Sequence, residues 1–584
     1  MAYLDDVYIL TRPDRCRAAY DIAVEELRRH CHIEVNLGKL VMWNRSGDAA
    51  PAAVAELDSS NHTVWRSDCV AEECGVVVLG APVGTDAFAA AHGRRACEAE
   101  QPFLEQISLL PDAQAAWLLL VYCAGPRANY RLRTTPPHQT VAYAADHDRL
   151  VAETFRRILA DAQLGHTQVR QLHLPLRYGG FGLRSAYRTA PAAYWASIAD
   201  CLHPLADRFP ELASNMLRQL AGEIPACPAL VAAAVAGRAL DDIGMQDRPS
   251  WQALFDGARP GERQRTDLLD RDPCEPVHGW QFVASNACEQ LEHSSLLEAL
   301  RLRTPSGPAH GPARLRSCAG RASGAWLVVA PSSPSLRLSN QEMQTALRLR
   351  LGVELPSVAG GCEGCRGRLD GFGYHRLACT RSGRAYARHR EFVHAWRQVF
   401  VETGGQVPRR NVERLLRDTL VRVPTTDTRR LDLVVPGTGV ERGLPLLCDV
   451  TCVSPISVAG FARPGCLTID GGAVGAAAAQ CRRDYPEVPS SDVAVLLSLG
   501  VEVFGRWGAD VLRTITGLAR ERVRGLPRRV QQGSLARLYR RWWGILAIAT
   551  QRAVARAATR GTGADLGDSV LESFQGIADL PVDV

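Results

Sequence analysis

Four residues of types that commonly bind zinc lie close together in the second half of the sequence: Cys362, Cys365, His375 and Cys379. Two thiolates separated by two residues can bind one tetrahedral ion from a turn, and a histidine and a cysteine at close spacing can complete its shell. Four reduced side chains brought together by chance are the alternative, but the spacing favours a metal site. With four protein ligands, the Zn²⁺ site would be structural and would stabilise a small segment.

Three carboxylates that follow this cluster form a second possible site, namely Glu413, Asp432 and Asp449. The hydrophobic pattern predicts a helix around the first and strands around the other two, covering residues 411–420, 430–435 and 445–453. Acidic residues on neighbouring strands can converge on one Mg²⁺ ion, which activates water for attack on a phosphodiester. Each of them is also compatible with an ordinary carboxylate at the end of a strand.

Two adjacent carboxylates near the start of the sequence, Asp5 and Asp6, form a third possible site within Tyr3-Leu4-Asp5-Asp6. On a tight turn between strands, such a pair suits Mg²⁺, which usually takes one or two carboxylates from a protein. Two such ions can hold the attacking and leaving oxygens of a phosphoryl transfer. The alternative is a solvated acidic turn.

The composition is that of a globular protein with several domains. The chain has 584 residues, of which 46% are apolar and 22% charged, and its net charge is +6. This length corresponds to about three to five domains, and the mild positive charge permits a nucleic-acid partner without requiring one. Lysine occurs once, at Lys39, among 68 lysine and arginine residues, a bias typical of a GC-rich genome.

The sequence predicts neither secretion nor a membrane span. Its first residues contain no basic segment followed by an apolar one, and no run of 18 or more apolar residues occurs. We therefore expect the 18 cysteines to be reduced thiols. These features predict a cytoplasmic or nuclear protein, and they do not indicate an oligomeric state.

Hydrophobic spacing predicts the elements that would carry these side chains. Residues 96–220 are expected to be mainly helical, and the pattern weakens between 221 and 330. Other predicted strands and helices cover residues 7–10, 14–29, 35–42, 75–80 and 341–351. From residue 526 onward, the sequence reads as a helical tail that is first basic and then acidic.

Motifs that follow Asp5 and Asp6 have a recognisable order: Asn-Leu-Gly-Lys at 36–39, then Leu-Gly-Ala-Pro-Val-Gly at 79–84. This order resembles the palm of reverse transcriptases from non-LTR retrotransposons, and residues 174–182 and 189–197 resemble stretches downstream of that palm. The resemblance implies that both aspartates bind the polymerase Mg²⁺ ions. It also implies that Lys39, on a strand, donates a proton near the departing pyrophosphate. An exposed lysine is the alternative.

The same resemblance implies parts that the given sequence does not contain. A reverse transcriptase needs a further metal-binding aspartate on an earlier palm strand, and fingers that hold the template and nucleotide. Both would precede residue 1, and only Met1 and Ala2 precede the Tyr-x-Asp-Asp turn. We therefore expect the chain as given not to polymerise DNA.

The Cys/His cluster, an Arg-His helix, an Asp strand and an Asp-Val strand follow one another in an order that resembles the restriction-like PD-(D/E)XK endonuclease of site-specific non-LTR retrotransposons. The resemblance implies that Asp432 and Asp449 bind Mg²⁺ or Mn²⁺, with Glu413 as a third ligand. His389, between Arg388 and Arg390, is interpreted as a surface residue or nucleic-acid contact and only secondarily as a metal ligand.

Two features depart from that endonuclease pattern. The family's Pro-Asp is Leu431-Asp432 here, and no lysine occurs after Lys39 to serve as the catalytic lysine. Arg482 or Arg483 is the candidate replacement, but arginine stays charged and exchanges protons poorly. We therefore expect weak or absent cleavage. The segment 501–508 also resembles this group of proteins and is assigned to packing.

Taken together, the resemblances predict an α+β protein with a truncated polymerase palm, a helical thumb and linker, a small zinc knuckle and a C-terminal restriction-endonuclease-like α/β domain. The corresponding segments are 1–95, 96–220, 221–335, 336–400 and 401–525, followed by the tail at 526–584. The implied function is that of a fragment of a retrotransposon RNA-directed DNA polymerase with an endonuclease-like domain. A non-catalytic, zinc-containing nucleic-acid-binding remnant is the alternative.

Arginine clusters provide candidate contacts to the implied partners, the element's RNA transcript and its target DNA. Guanidinium groups with interleaved aromatic rings, as in Tyr539-Arg540-Arg541-Trp542-Trp543, suit phosphate contacts and base stacking. A solvated helix face in an arginine-rich protein is the alternative for any one cluster. The clusters are 127–133, 314–321, 381–390, 520–529 and 537–541.

Overall fold

The computed structural model describes most of the chain and contains both helices and sheets, which confirms the α+β prediction in its coarse form. The described residues are 2–3 (backbone only), 6–245, 248–261, 279–302, 310–356, 360–408, 412–419, 421–490 and 492–559. Asp5 and the acidic end of the chain, 560–584, lie outside them. Among the described residues, no helix combines the length and apolar character needed to cross a bilayer.

Two short hairpins and two helices make up the N-terminal part. Strands β1 and β2 pair antiparallel, as do β3 and β4. Their bounds are β1 Ala2–Tyr3, β2 Asp6–Val7, β3 Gly75–Val78 and β4 Ala81–Gly84, with α1 Cys16–Glu26 and α2 Ala52–Ala55 between the hairpins.

Helices account for almost all regular structure from residue 86 to 318. The first part contains α3 Asp86–Ser108, α4 Ala113–Leu119, α5 Ala128–Thr134, α6 Pro137–Ile158, α7 His166–Leu172, α8 Ala186–Arg208 and α9 Pro210–Leu220. The segment expected to be a linker contains α10 Pro228–Asp242, α11 Trp251–Phe255, α12 Trp280–Leu302 and α13 Gly311–Cys318. Trp280 packs edge-on against Trp195 of α8 at 6.0 Å between ring centroids, so this segment is packed against the helical region.

The C-terminal part combines helices with a three-stranded sheet. Strand β8 lies in the centre, antiparallel to β7 and parallel to β9, and α17 makes the crossover between the parallel pair. The helices are α14 Asn340–Leu351, α15 Tyr374–Ala378, α16 Arg384–Glu402, α17 Gly472–Asp484, α18 Ala509–Val523 and α19 Arg528–Thr559. The strands are β5 Arg414–Leu415, β6 Arg430–Leu431, β7 Leu433–Val435, β8 Leu446–Val453 and β9 Val495–Glu502.

Helix α19 lies in the core, which corrects the prediction of a basic tail with base-stacking aromatics. Tyr539, Trp542, Trp543 and Leu546 recur at helical spacing and are all buried, with Trp542 fully so. Its indole nitrogen donates to Glu402 Oε2 of α16 at 2.9 Å. The expected stacking surface is instead the apolar face of a helix, because its aromatic residues repeat every three or four positions.

The helical region expected as a thumb shares its core with the C-terminal part. The core cluster that contains Trp117 of α4 also contains Trp396 of α16 and Trp543 of α19. The Trp117 indole nitrogen donates to the Leu327 carbonyl at 2.7 Å, and Asn340 accepts from the backbone N–H of Ala113 at 2.9 Å. These contacts join segments that are more than 200 residues apart.

Several local predictions of secondary structure are wrong. The predicted strand 7–10 is irregular beyond Val7, where β2 ends, and the predicted strand 430–435 is divided into β6 and β7 by a bend at Asp432. Residues 412–419 contain β5 and a 3₁₀ turn at Leu416–Asp418 instead of a helix, because the segment pairs with β6. Lys39 lies in the 3₁₀ turn Leu37–Lys39 instead of on a strand, since the side chain of Asn36 accepts from the backbone N–H of Gly38 at 2.9 Å and closes the turn.

Replacing Trp542 with alanine should lower the free energy of unfolding by about 3–5 kcal/mol, because it removes a fully buried indole from the core. Denaturant unfolding followed by circular dichroism measures the change. Arg540→Ala, on the exposed face of the same helix, should change stability by no more than about 0.5 kcal/mol. Equal effects of both substitutions would contradict the assignment of α19 to the core.

Candidate functional site

A tight turn brings the first two cysteines of the Cys/His cluster together. The Cys362 N–H donates to the Gly367 carbonyl, and the Arg366 N–H donates to the Cys362 carbonyl, both at 2.8 Å. The Gly367 N–H also donates to Cys365 Sγ at 3.4 Å. A Cβ at Gly367 would lie 2.9 Å from the His375 ring and 3.3 Å from Cys365 Sγ. Glycine is therefore required here for the turn to fit around the ligand atoms.

Helix α15 and the residue that follows it supply the other two side chains of the cluster. The carboxylate of Asp370 accepts from the backbone N–H groups of Tyr374 and His375 at 3.0 and 2.6 Å, and so caps the start of this short helix. His375 lies in the first turn, and Cys379 follows the last residue. This local geometry turns both side chains toward the cysteine turn.

The four side chains converge with metal-ligand geometry, and they could hold a Zn²⁺ ion. Their ligand atoms all lie within 4.8 Å of one another, and Cys365 Sγ is 3.1 Å from His375 Nε2. His375 Nδ1 is 3.0 Å from the Val458 carbonyl, to which it donates in the tautomer that leaves Nε2 free for an ion. Among the described residues, this is the only group of three or more potential ligands with such proximity.

The thiols of the cluster differ in their electrostatic surroundings. Burial opposes ionisation of Cys362, but the backbone N–H groups of Cys365 and Gly364 point at its sulfur and lower its pKa to about 6. Burial and the neighbouring thiols raise the pKa of Cys379. A divalent cation would favour the thiolate form of both residues, so the chemistry of the donor set fits Zn²⁺.

The carboxylates of Asp432 and Asp449 lie near each other where the bend between β6 and β7 meets β8. Leu433 of β7 pairs with Cys448 of β8, and the N–H of Asp432, in the bend before β7, donates to the Cys448 carbonyl at 3.1 Å. The Val450 N–H donates to Asp432 Oδ2 at 2.7 Å. Burial and the negative charge of Asp432 raise the pKa of Asp449 to about 6. The sheet therefore brings together two carboxylates that repel each other.

His389 of α16 completes this site, and its interpretation as a surface residue is wrong. Its Nε2 lies 3.0 Å from Asp432 Oδ1, and the two side chains are only 27% and 15% exposed. Burial lowers the pKa of His389, but the hydrogen bond to Asp432 and the charges of Asp432, Asp449 and Glu413 outweigh it and raise the pKa. The available signal was helical spacing, since His389 precedes the buried Phe392 and Trp396 by three and seven residues.

Glu413 lies at the margin of this site. It precedes β5, is exposed, and its Oε2 is 3.7 Å from Arg430 Nη1. Its charge contributes to the raised pKa of His389, but the described carboxylates do not form a three-ligand cluster. The structure therefore brings Asp432 and Asp449 together and leaves Glu413 as a neighbour.

The arginines expected to replace the catalytic lysine engage other groups. Cys481 of α17 lies close enough to Asp449 that the charge of this carboxylate, together with burial, raises the pKa of the thiol. Helix α17 therefore borders the site. Arg482 Nη2, however, lies 3.3 Å from Asp510 Oδ2, and Arg483 Nη2 donates to Gln480 Oε1 at 2.6 Å. In the described part of the chain, neither guanidinium hydrogen-bonds to Asp432 or Asp449.

The N-terminal motifs are partly brought together. Asp6 is exposed at the start of β2, and its Oδ2 accepts from the Tyr8 hydroxyl at 3.0 Å. The same hydroxyl accepts from the backbone N–H of Leu79 at 3.1 Å, so the first hairpin contacts the Leu-Gly turn between β3 and β4. Lys39 is exposed, as its alternative interpretation states. Asp5 lies outside the described residues.

Several arginines of the predicted nucleic-acid clusters are internal. Arg314, Arg384 and Arg388 are buried and donate to backbone carbonyls. Within the segment 520–529, in contrast, all five arginines are exposed at the connection between α18 and α19. This connection is therefore the predicted cluster that best retains the character of a basic surface.

Comparison of the chain with profiles of known protein families gives no match, and comparison with curated proteins gives no similar sequence.

Replacing Cys379 with serine should remove Zn²⁺ from the purified protein, because three ligands hold the ion far less tightly than four. We expect about one ion per chain in the wild type and far less in the variant, measured by elemental mass spectrometry. Cys466→Ser, at a buried cysteine outside the cluster, should retain the ion. Equal zinc content in the two variants would contradict the site.

Stability should depend on pH through Asp449. The folded state holds this proton up to about pH 6, whereas an unfolded chain loses it near pH 4. The stabilisation is therefore present below about pH 4 and is lost as the pH rises through about 6. Without added divalent metal, Asp449→Asn should exceed the wild type in melting temperature at pH 8, and this advantage should shrink as the pH falls toward 4. Asp492→Asn, at an exposed carboxylate, is the control, and a difference between Asp449→Asn and the wild type that does not change with pH would refute the raised pKa of Asp449.

Proposed function

We propose that the chain is part of a non-LTR retrotransposon protein and that Asp432 and Asp449 form a metal-dependent site for cleaving DNA phosphodiesters. The observation that carries this proposal is the pair of half-buried carboxylates, Asp432 in the bend before β7 and Asp449 on β8, which lie close enough for the charge of one to act on the other. Like charges close together in a partly buried position are unfavourable, so their presence favours a site for a cation over a purely structural role.

The donor set at this pair fits Mg²⁺ or Mn²⁺. Both ions prefer oxygen ligands, and Mg²⁺ commonly takes only one or two carboxylates while water completes its shell. Asp432 and Asp449 would hold the ion, which when bound would polarise the phosphodiester and lower the pKa of a coordinated water. The Cys/His cluster supplies thiolates and an imidazole instead and suits Zn²⁺.

The protein's own groups fix the orientation of this pair. Asp432 Oδ2 accepts from the Val450 N–H and Oδ1 is hydrogen-bonded to His389, so both oxygens of this carboxylate are held. Asp449 lies on the central strand of the sheet, which limits its movement. Pre-oriented carboxylates of this kind need little reorganisation when a charged substrate binds.

The N-terminal motifs support the derivation of residues 1–95 from a polymerase palm. The contact from Tyr8 to the backbone of Leu79 joins the hairpin that contains Asp6 to the Leu-Gly turn, two motifs whose order along the chain carries the resemblance to the palm. Residues 1–95 would then derive from the palm of an RNA-directed DNA polymerase. The partners of the whole protein would be the element's RNA and its target DNA.

A non-catalytic role in nucleic-acid binding is the second candidate. It is favoured by one observation, that Arg482 and Arg483 contact Asp510 and Gln480 while no lysine follows Lys39. In that case, the zinc knuckle and the exposed arginines of 520–529 would be the functional parts.

Zinc-loaded wild-type protein should nick supercoiled plasmid in the presence of Mg²⁺ or Mn²⁺. Asp432→Asn and Asp449→Asn should each reduce the nicking rate by about 100-fold or more, because each removes a charge that holds the ion. Gel separation of supercoiled and open-circular DNA measures the rate. Asp492→Asn, at an exposed carboxylate, is the matched control. A folded wild type that binds plasmid without nicking it would favour the second candidate.

A further inference from the structure

The Asp432–Asp449 pair has one basic neighbour in direct contact. Among the described residues, His389 is the only basic side chain that hydrogen-bonds to either carboxylate, at 3.0 Å from Asp432 Oδ1. It comes from α16, 43 residues earlier in the chain, and not from α17, where the resemblance predicts a basic residue. The site therefore has a different basic partner from the expected one.

The position of His389 is fixed by its neighbours on the same helix. The adjacent Arg388 is buried, and its guanidinium donates to the Leu377 carbonyl at 3.0 Å and to the Cys452 carbonyl at 3.1 Å. These bonds tie α16 to α15 and to β8, the strand that carries Asp449. Phe392 and Trp396 follow on the buried face of α16 and hold it against the core. The imidazole thus projects from a helix that is held on several sides.

We propose that His389 is a positioning residue of the carboxylate site, holding Asp432 in the orientation that binds a divalent cation. This inference rests on the proposed function, because it assigns His389 a role at the same site. His389 contacts one oxygen of Asp432 and the Val450 N–H contacts the other, so the two bonds together define the plane of the carboxylate. One lone pair on each oxygen remains available to a cation.

The size of the effect follows from the behaviour of outer-shell groups at metal sites. Partners that orient a ligating side chain typically change metal affinity by about 10- to 100-fold when removed. A replacement that keeps a donor where Nε2 lies should preserve the affinity. Glutamine places its amide nitrogen near that position, whereas the shorter asparagine does not reach it.

The test compares His389→Gln with His389→Asn, which have the same polarity and differ by one methylene. Mn²⁺ binding to zinc-loaded protein without DNA is measured by electron paramagnetic resonance, and nicking rates are measured in parallel. His389→Asn should bind Mn²⁺ about 10- to 100-fold more weakly than the wild type, and His389→Gln should stay close to it. His394→Ala is the control, because this histidine of α16 lines a cavity with Glu391 and Arg552 instead of contacting the carboxylate pair.

The outcomes separate this inference from the proposed function. If the wild type has no Mn²⁺ site that Asp432→Asn removes, the proposed function fails, and the inference that depends on it fails too. If that site exists and His389→Asn binds Mn²⁺ as the wild type does, only the positioning role is overturned. The role is likewise overturned if both His389 variants lose binding equally while circular dichroism shows both to be folded.

Discussion

The burial of helix α19 is the constraint on which the C-terminal half of the structure depends. Its aromatic face packs against α16, and its apolar residues join a core that extends back to α4. Each large apolar side chain buried in this way contributes about 1.5–3 kcal/mol to the free energy of folding.

The last turn of α19 also accepts hydrogen bonds, because Arg384 and Arg376 donate to the carbonyls of Ala557 and Ala558 at 3.0 and 2.8 Å. Cations at a helix C-terminus are favoured by its dipole, so these bonds hold the segment around the Cys/His cluster against α19.

The two candidate sites are mechanically connected through this framework. Helix α16 lies between α19 and the sheet, and it carries His389 to Asp432. On the zinc side, the ring of His375 contacts the Val458 carbonyl, in the loop that follows β8. An ion at the Cys/His cluster would therefore fix the loop that follows β8 and also α15, whose Leu377 carbonyl accepts from Arg388 of α16. A Zn²⁺ ion bound there would support the orientation of the carboxylate site without contacting it.

The sequence predicted the features that depend on short spacing and missed those that depend on long-range packing. The Cys/His cluster and the short strands around Asp432 and Asp449 could be found because their signals lie within a few residues of each other. The contact between His389 and Asp432 joins residues 43 positions apart, and no local pattern encodes it. Helix α19 was misassigned because arginine and tryptophan suit both nucleic-acid binding and a helix with one buried face. In α19, the repeat of apolar residues every three or four positions indicates the buried face, because the burial of large side chains determines how the helix packs.

The absence of any lysine after Lys39 affects how the carboxylate site would function. Lysine can release its proton when burial lowers its pKa, whereas arginine keeps its proton near neutral pH. Neither Arg482 nor Arg483 points a guanidinium at the pair, so the repulsion between Asp432 and Asp449 is offset mainly by His389. His389 hydrogen-bonds to Asp432 alone, and burial together with the charge of Asp432 still raises the pKa of Asp449. Two like charges in a partly buried position lower the stability of the folded protein. Such unfavourable positions are expected at functional sites, where they maintain a cation-binding geometry. A divalent cation is the partner that would resolve the conflict, because two positive charges match the two carboxylates.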